Sequence, residues 1–202
     1  MATIEKIITA IDSLPSKHLQ KMIGIDGLGA SGKSTIAEGI KQLHPETSII
    51  HLEEFYKFEH ERSPVPGVVP DHVISPDFDW DRFENQVIKP VRRSLLVKYE
   101  RFDWRADQWA ISKDGPWVEI PPTHCIVIVG VYALQSRFFT VYDYTIWIEV
   151  SKKIRLQRMI EREGESVAQE WLEKWSPREE NYLAVDAPDK RAASTIFANI
   201  SG

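Results

Sequence analysis

The segment Gly27-Leu28-Gly29-Ala30-Ser31-Gly32-Lys33-Ser34 constrains this chain more than any other. Its spacing, G-x-x-x-x-G-K-[ST], is that of a phosphate-binding loop, and its flanks suit that role. Before it, Met22-Ile23-Gly24-Ile25-Asp26 reads as a short buried strand. After it, Ser34 to Leu43 carries Ile36, Ala37, Ile40 and Leu43 at helical spacing. Glycines let backbone N–H groups turn inward around phosphate oxygens, and the helix start adds partial positive charge. On this reading Gly27, Gly29, Ala30, Ser31, Gly32, Lys33, Ser34 and Thr35 form the nucleotide cradle. In such a loop Lys33 can reach the β- and γ-phosphates of a nucleotide, and Ser34 can hold Mg²⁺.

A length of 202 residues suits one domain, 1–202, with room for a small insertion or lid. The net charge of −5 argues against a broad nucleic-acid surface. No apolar run approaches a membrane span, and the N-terminal stretch, with Glu5, does not read as a signal peptide. Cys125, the single cysteine, can form no internal disulfide and reads as a buried small hydrophobe. The expected setting is reducing and cytoplasmic. The six histidines (His18, His44, His51, His60, His72, His124) show no metal-ligand spacing, so no zinc site is expected.

Along the chain, residues 3–14 read as an amphipathic helix and 48–52 as a second strand. Residues 57–78, with Pro64, Pro66, Gly67, Pro70 and Pro76, read as a long loop of functional type. A helical pattern runs from Trp80 to Tyr99, interrupted by Pro90. Residues 100–120 read as a hairpin or an irregular, Trp-rich insertion. The apolar run Ile126-Val127-Ile128-Val129 suits a parallel strand covered on both faces, and 144–150 reads as another strand. A basic helix over 152–163, a helix over 166–182 and a last strand over 194–199 complete the pattern. Strands alternating with helices predict an α/β fold with a parallel sheet. Trp147 reads as core. Trp80, Trp104 and Trp109 lie near the expected pocket, where packing competes with stacking on a base.

Glu53 and Glu54 follow the second strand, where open α/β sheets bind ligands. A carboxylate there can take a proton from a substrate hydroxyl, hold Mg²⁺, or be a solvated loop acid. Position alone leaves these open.

The run Gly24-Ile25-Asp26-Gly27…Gly32-Lys33-Ser34-Thr35, followed by Glu53-Glu54-Phe55-Tyr56, resembles the uridine kinase and phosphoribulokinase-like family of P-loop kinases. The resemblance implies a three-layer α/β/α fold with a five-stranded parallel sheet and a helical lid near 155–175. Residues 57–120 then form a substrate-side insertion. It also implies ATP and Mg²⁺ as cofactors and a small-molecule acceptor such as a uridine-like nucleoside or sugar, with homo-oligomers common in the family. Glu53 takes the position of the family's catalytic base and, with Ser34, that of a metal ligand. Ser75-Pro76-Asp77-Phe78-Asp79 and Tyr99-Glu100-Arg101-Phe102-Asp103-Trp104 resemble substrate segments, which makes Tyr56, Asp79, Tyr99 and Asp103 acceptor candidates. Asp79 reads equally as a helix N-cap, and Asp103 and Tyr99 as surface hairpin residues. Arg155, Arg158 and Arg162 share a helix face and resemble lid arginines that neutralise the transferring phosphoryl group, with Arg155 also an acceptor candidate.

The chain departs from the family pattern in three places. Glu53 stands where the family has Asp. Val129-Gly130 stands where it has Glu-Gly, removing a carboxylate that supports Mg²⁺. The lid lacks the longer arginine-rich segment of true uridine kinases. Two functions therefore remain in view: a small-molecule kinase, and a nucleotide-binding protein with weak or no kinase activity.

Overall fold

The computed structural model describes residues 2–15, 20–62, 75–111, 113 and 115–198. Helix α1 (Ala2–Ser13) leads into strand β1 (Lys21–Asp26), helix α2 (Lys33–Leu43) and strand β2 (Thr47–His51). A helical run follows, made of α3 (Trp80–Phe83), a π-helical stretch (Glu84–Ile88) and α4 (Lys89–Arg92). The short strands β3 (Val97–Glu100), β4 (Phe102–Asp103), β5 (Gln108–Trp109) and β6 (Trp117–Ile120) come next. Then come β7 (Cys125–Val129), α5 (Ser136–Phe139) and β8 (Tyr144–Glu149). The chain closes with α6 (Lys152–Glu163), α7 (Glu165–Glu170), a π-helical stretch (Trp171–Trp175), α8 (Ser176–Asp186), α9 (Pro188–Arg191) and β9 (Ser194–Phe197).

The central sheet has the order β2-β7-β1-β8-β9, with every neighbouring pair parallel. This is the expected five-stranded parallel sheet, covered on both faces. Strand alternation divides the core in two. Cys125, Val127 and Val129 face α1 and α2, where they pack with Ile7, Ile11, Ala37 and Ile40. Ile126 and Ile128 face the other way, toward Phe83, Val87 and Val91 of the helical run. Cys125 lies inside β7, and burial pushes its thiol up to about 12, the state of an inert small hydrophobe.

Two expectations need correction. The helix read over Trp80 to Tyr99 ends at Arg92. Ser94 adopts φ +53°, the Leu95 amide closes back on the Pro90 carbonyl at 2.9 Å, and Val97 begins a strand. The apolar run 95–97 imitated helical spacing, but Val97 and Tyr99 point inward at a period of two. Pro90 does not interrupt the helix. The Lys89 amide bonds to the Glu84 carbonyl, so the ladder has already slipped to a wider register before the residue that lacks an N–H. The Trp-rich segment is a hairpin in two tiers: β3 pairs antiparallel with β6, and β4 with β5. The proline-rich portion expected as loop, 63–74, lies outside the described residues, as does Asn199 at the end of the last predicted strand.

Gly130 follows β7 where the backbone passes against Leu52. An added Cβ would lie 2.6 Å from the Leu52 Cβ, an atom with little freedom to move. Gly130→Ala should therefore lower stability by about 1–3 kcal/mol. Thermal unfolding reads this directly, and pairing it with Leu52→Gly, which removes that Cβ, should cost less than the two separate losses added together.

Candidate active site

The phosphate loop begins at the end of β1 and reverses within six residues. Gly32 adopts φ +94° and Ala30 φ +59°, which brings Lys33 to the first turn of α2. The Ser31 hydroxyl is buried with no hydrogen-bond partner among the described residues. An orphaned buried hydroxyl in such a loop is the kind of group a ligand oxygen satisfies. Ser34 and Thr35 are exposed at the start of α2.

Lys33 lies across the loop, its ammonium donating to the carbonyls of Gly27 at 2.7 Å and Leu28 at 3.1 Å. Burial lowers its pKa, opposed by the charges of Glu53, Glu179 and Asp26 in that order. Glu53 is thus one of three acids whose charge acts on the loop lysine. It stands on the 3-10 turn Leu52–Phe55 directly after β2.

The neighbouring Glu54 points elsewhere. Its carboxylate accepts from the Tyr99 hydroxyl at 2.5 Å and pairs with Arg101 at 2.9 Å. Arg82 fixes the same turn by donating to the carbonyls of Glu54 at 2.8 Å and Glu100 at 2.7 Å. Its guanidinium rests on the Phe55 ring. The two acids therefore differ: Glu54 is tied to the hairpin, whereas the charge of Glu53 acts on the loop lysine.

Asp26 roots the loop. It is fully buried and accepts from the amides of Gly27 (2.6 Å) and Leu134 (2.9 Å) and from the Tyr182 hydroxyl (2.7 Å). Burial raises its pKa to about 6, against the pull of those three bonds and of Lys33. Glu179, also buried, accepts from the Gly29 amide at 2.9 Å and the Trp171 indole at 3.2 Å.

The predicted residues separate into groups. Arg155 is buried beneath the loop, donating to the Val150 and Gly29 carbonyls and lying 3.5 Å from Glu179, so it does not face an acceptor. Arg158 reaches the loop through the Ser31 carbonyl at 3.3 Å. Arg162 is turned outward, bonded to Glu163. Tyr56 packs against Phe78, Trp104 and Trp175. Asp79 caps the helical run by accepting from the Arg82 amide at 2.9 Å, yet its side chain stays 41% exposed. Tyr99 is buried and committed to Glu54. Asp103 closes the β4–β5 turn by accepting from the amides of Arg105 and Ala106. Trp80 is core, and Trp109 packs on Phe58 and Phe102. Trp104 is the exposed tryptophan beside Tyr56. Among the described residues, no group of three or more metal-ligating side chains occurs.

Sequence reasoning passed over Asp26, Arg82, Glu179 and Tyr182 as site residues. Asp26 had a signal, an acid ending an apolar strand directly before the loop. Glu179 and Tyr182 are three apart on α8, and nothing near them announces a loop some 150 residues earlier.

No protein-family model matches the chain. It is 29% identical to the uridine kinase of Borrelia hermsii (strain HS1 / DAH) over 189 residues, 88% of this chain and 85% of that protein. Against the uridine kinase of Borrelia turicatae (strain 91E135) the identity is 28% with the same coverage. Among solved structures, a possible uridine kinase from Bacillus stearothermophilus aligns with a TM-score of 0.72 at 18% identity, over 96% of this chain and 97% of that one. D-glycerate 3-kinase from Cryptococcus neoformans aligns with a TM-score of 0.61 at 12% identity, over 98% and 93%. The solved structures share the fold, a three-layer P-loop architecture. Among the described residues no helix is long and apolar enough to cross a membrane.

The raised pKa of Asp26 has a definite sign. The folded state holds this proton more tightly than the unfolded chain. The contribution is therefore fully present below about pH 4 and lost as pH rises through about 6, and it amounts to about 3 kcal/mol. In urea unfolding, the stability difference between the wild type and Asp26→Asn should move against the wild type by about 2–3 kcal/mol from pH 4 to 7. A pH-independent difference would contradict the assignment.

Proposed function

We propose that this chain, a member of the uridine kinase-like family of P-loop kinases, is an ATP-dependent phosphotransferase acting on a hydroxyl of an uncharged nucleoside or sugar-like acceptor. The observation that carries the reading is the position of an acid, Glu53, on the turn directly after β2, where its charge acts on the buried loop lysine Lys33. A phosphate cradle needs no such acid to bind nucleotide, whereas phosphoryl transfer to an alcohol needs a group that takes the hydroxyl proton.

In this mechanism the loop amides and the start of α2 bind the β- and γ-phosphates of ATP. Lys33 exchanges its loop carbonyls for phosphate oxygens, and Arg158 adds positive charge from α6 beside Ser31. Glu53 accepts the proton of the attacking hydroxyl. A hydroxyl and a carboxylate are hard oxygen donors that suit Mg²⁺, so Ser34 and Glu53 would hold the ion, which supplies charge neutralisation. Val129 cannot contribute, since its side chain is buried against α1 and α2.

The acceptor side favours an uncharged partner. Arg62 is paired with Asp107, Arg82 with Asp79, Arg101 with Glu54 and Arg178 with Asp77. The stretch 63–74 contains neither lysine nor arginine. An anionic acceptor would have to compete for guanidinium groups already matched by carboxylates. Tyr56, Trp104 and Trp175 instead present aromatic faces, and the exposed Asp79 carboxylate can accept from hydroxyls.

The second reading, a nucleotide-binding protein with weak or no turnover, rests on Val129. ADP formation across nucleosides, pantothenate, glycerate and phosphorylated pentoses decides between the two. The kinase reading expects acceptor-dependent turnover with an uncharged nucleoside or sugar. Glu53→Gln should cut kcat by about a thousandfold and Lys33→Ala should abolish turnover. Glu54→Gln should cost no more than about tenfold, since that acid holds the hairpin. Binding of ATP without turnover on every acceptor would sink the kinase.

A further inference from the structure

Gly29 is not a glycine for the sake of its backbone angles. Gly27 and Gly32 have positive φ, whereas Gly29 does not. What Gly29 supplies is room. An added Cβ would lie 2.8 Å from the Glu179 carboxylate and 2.8 Å from the Trp171 indole nitrogen. These two side chains come from the helical stretch beyond α6 and close on the crown of the loop. One carboxylate oxygen accepts from the Gly29 amide and the other from the indole. Arg155 stacks on the Trp171 ring, 5.2 Å from its centre, and brings its guanidinium to the same carboxylate. One turn further along α8, Tyr182 donates to Asp26 at the loop's root. The helix therefore holds the loop at both ends. Other amides of the loop bond locally, Ser31 to the Leu28 carbonyl and Gly27 to Asp26, so the crown is anchored from outside.

We propose that Glu179 is a positioning residue for the phosphate loop: working with Trp171, it holds the Gly29 amide and so sets the loop conformation that receives a nucleotide's phosphates. The bonding pattern makes a specific demand. Two donors, an amide and an indole, converge on two acceptor oxygens. Glutamine at 179 can satisfy one of them and must turn its own N–H₂ group toward the other. Removing the indole donor relieves that conflict. A positioning role thus predicts that Glu179→Gln is harmful alone and much less so beside Trp171→Phe.

The test reads two properties. The first is amide exchange of the loop, residues 27–33, in the protein without nucleotide. The second is ADP affinity, and the link between the two rests on the nucleotide-binding reading of the loop. Glu179→Gln should speed loop exchange and weaken ADP binding, each by about tenfold, while a folded control region in β7 keeps its protection. Glu179→Gln with Trp171→Phe should return both to within about threefold of Trp171→Phe alone. Wild-type values in Glu179→Gln, or a double variant as impaired as the two single losses combined, would overturn the proposal. If the wild type binds no ADP, the nucleotide reading fails while the exchange result still decides the role of Glu179. Should Glu179→Gln not fold, Gly29→Ala takes its place, because the added methyl pushes directly on the pair. Exchange should then rise together in 27–33 and in 171–182, and a rise confined to the loop would overturn the proposal.

Discussion

The site depends on one buried carboxylate. Asp26 sits at the end of the central strand with no contact to water, and three donors from separate parts of the chain converge on it. One is the next residue, one follows β7 and one comes from α8. A charge in such a place is costly unless hydrogen-bonded, so its partners are held with it. The consequence is architectural. The phosphate loop, the turn after β7 and the C-terminal helix are fixed relative to each other before any ligand enters. Glu179 extends the arrangement to the loop's crown.

This arrangement bears on the valine that ends β7. In a parallel sheet covered on both faces, alternate residues must serve opposite layers. Val129 serves the α1–α2 layer along with Cys125 and Val127, among Ile25 and Ile148. The acids that act on Lys33 come instead from β1, from the turn after β2 and from α8. Against Asp26, Glu53 and Glu179 stand Lys33, Arg155 and Arg158, three charges of each sign. A polyphosphate added to that balance brings negative charge that the side chains do not offset.

The fold was legible because its signals are local. Apolar runs of strand length, helical spacing after the loop and the glycine-lysine-serine spacing all lie within a few residues of what they predict. The helix end at Arg92 was not legible, since Leu95, Leu96 and Val97 are apolar under either period and the left-handed Ser94 leaves no compositional mark. Of the candidate site, the turn of the phosphate loop between β1 and α2 and the place of Glu53 and Glu54 after β2 could be read. The difference between Glu53 and Glu54 could not, because it depends on Tyr99 and Arg101 arriving from a hairpin whose pairing the sequence does not encode locally. Glu179 and Tyr182 were invisible for the same reason.

The three arginines of α6 carry this point into the mechanism. Helical spacing correctly put Arg155, Arg158 and Arg162 on one face, but a face is not a site. Seven residues of helix span about 10 Å. The first turn therefore goes under the loop, where Arg155 is buried against Glu179. The second meets its edge at Ser31, and the last projects beyond it to Glu163. Arg155 cannot leave its place without stripping a buried carboxylate of its cation. The first turn of α6 is thus tied to the phosphate loop, while its outer end, at Arg162, bonds to Glu163 at the surface.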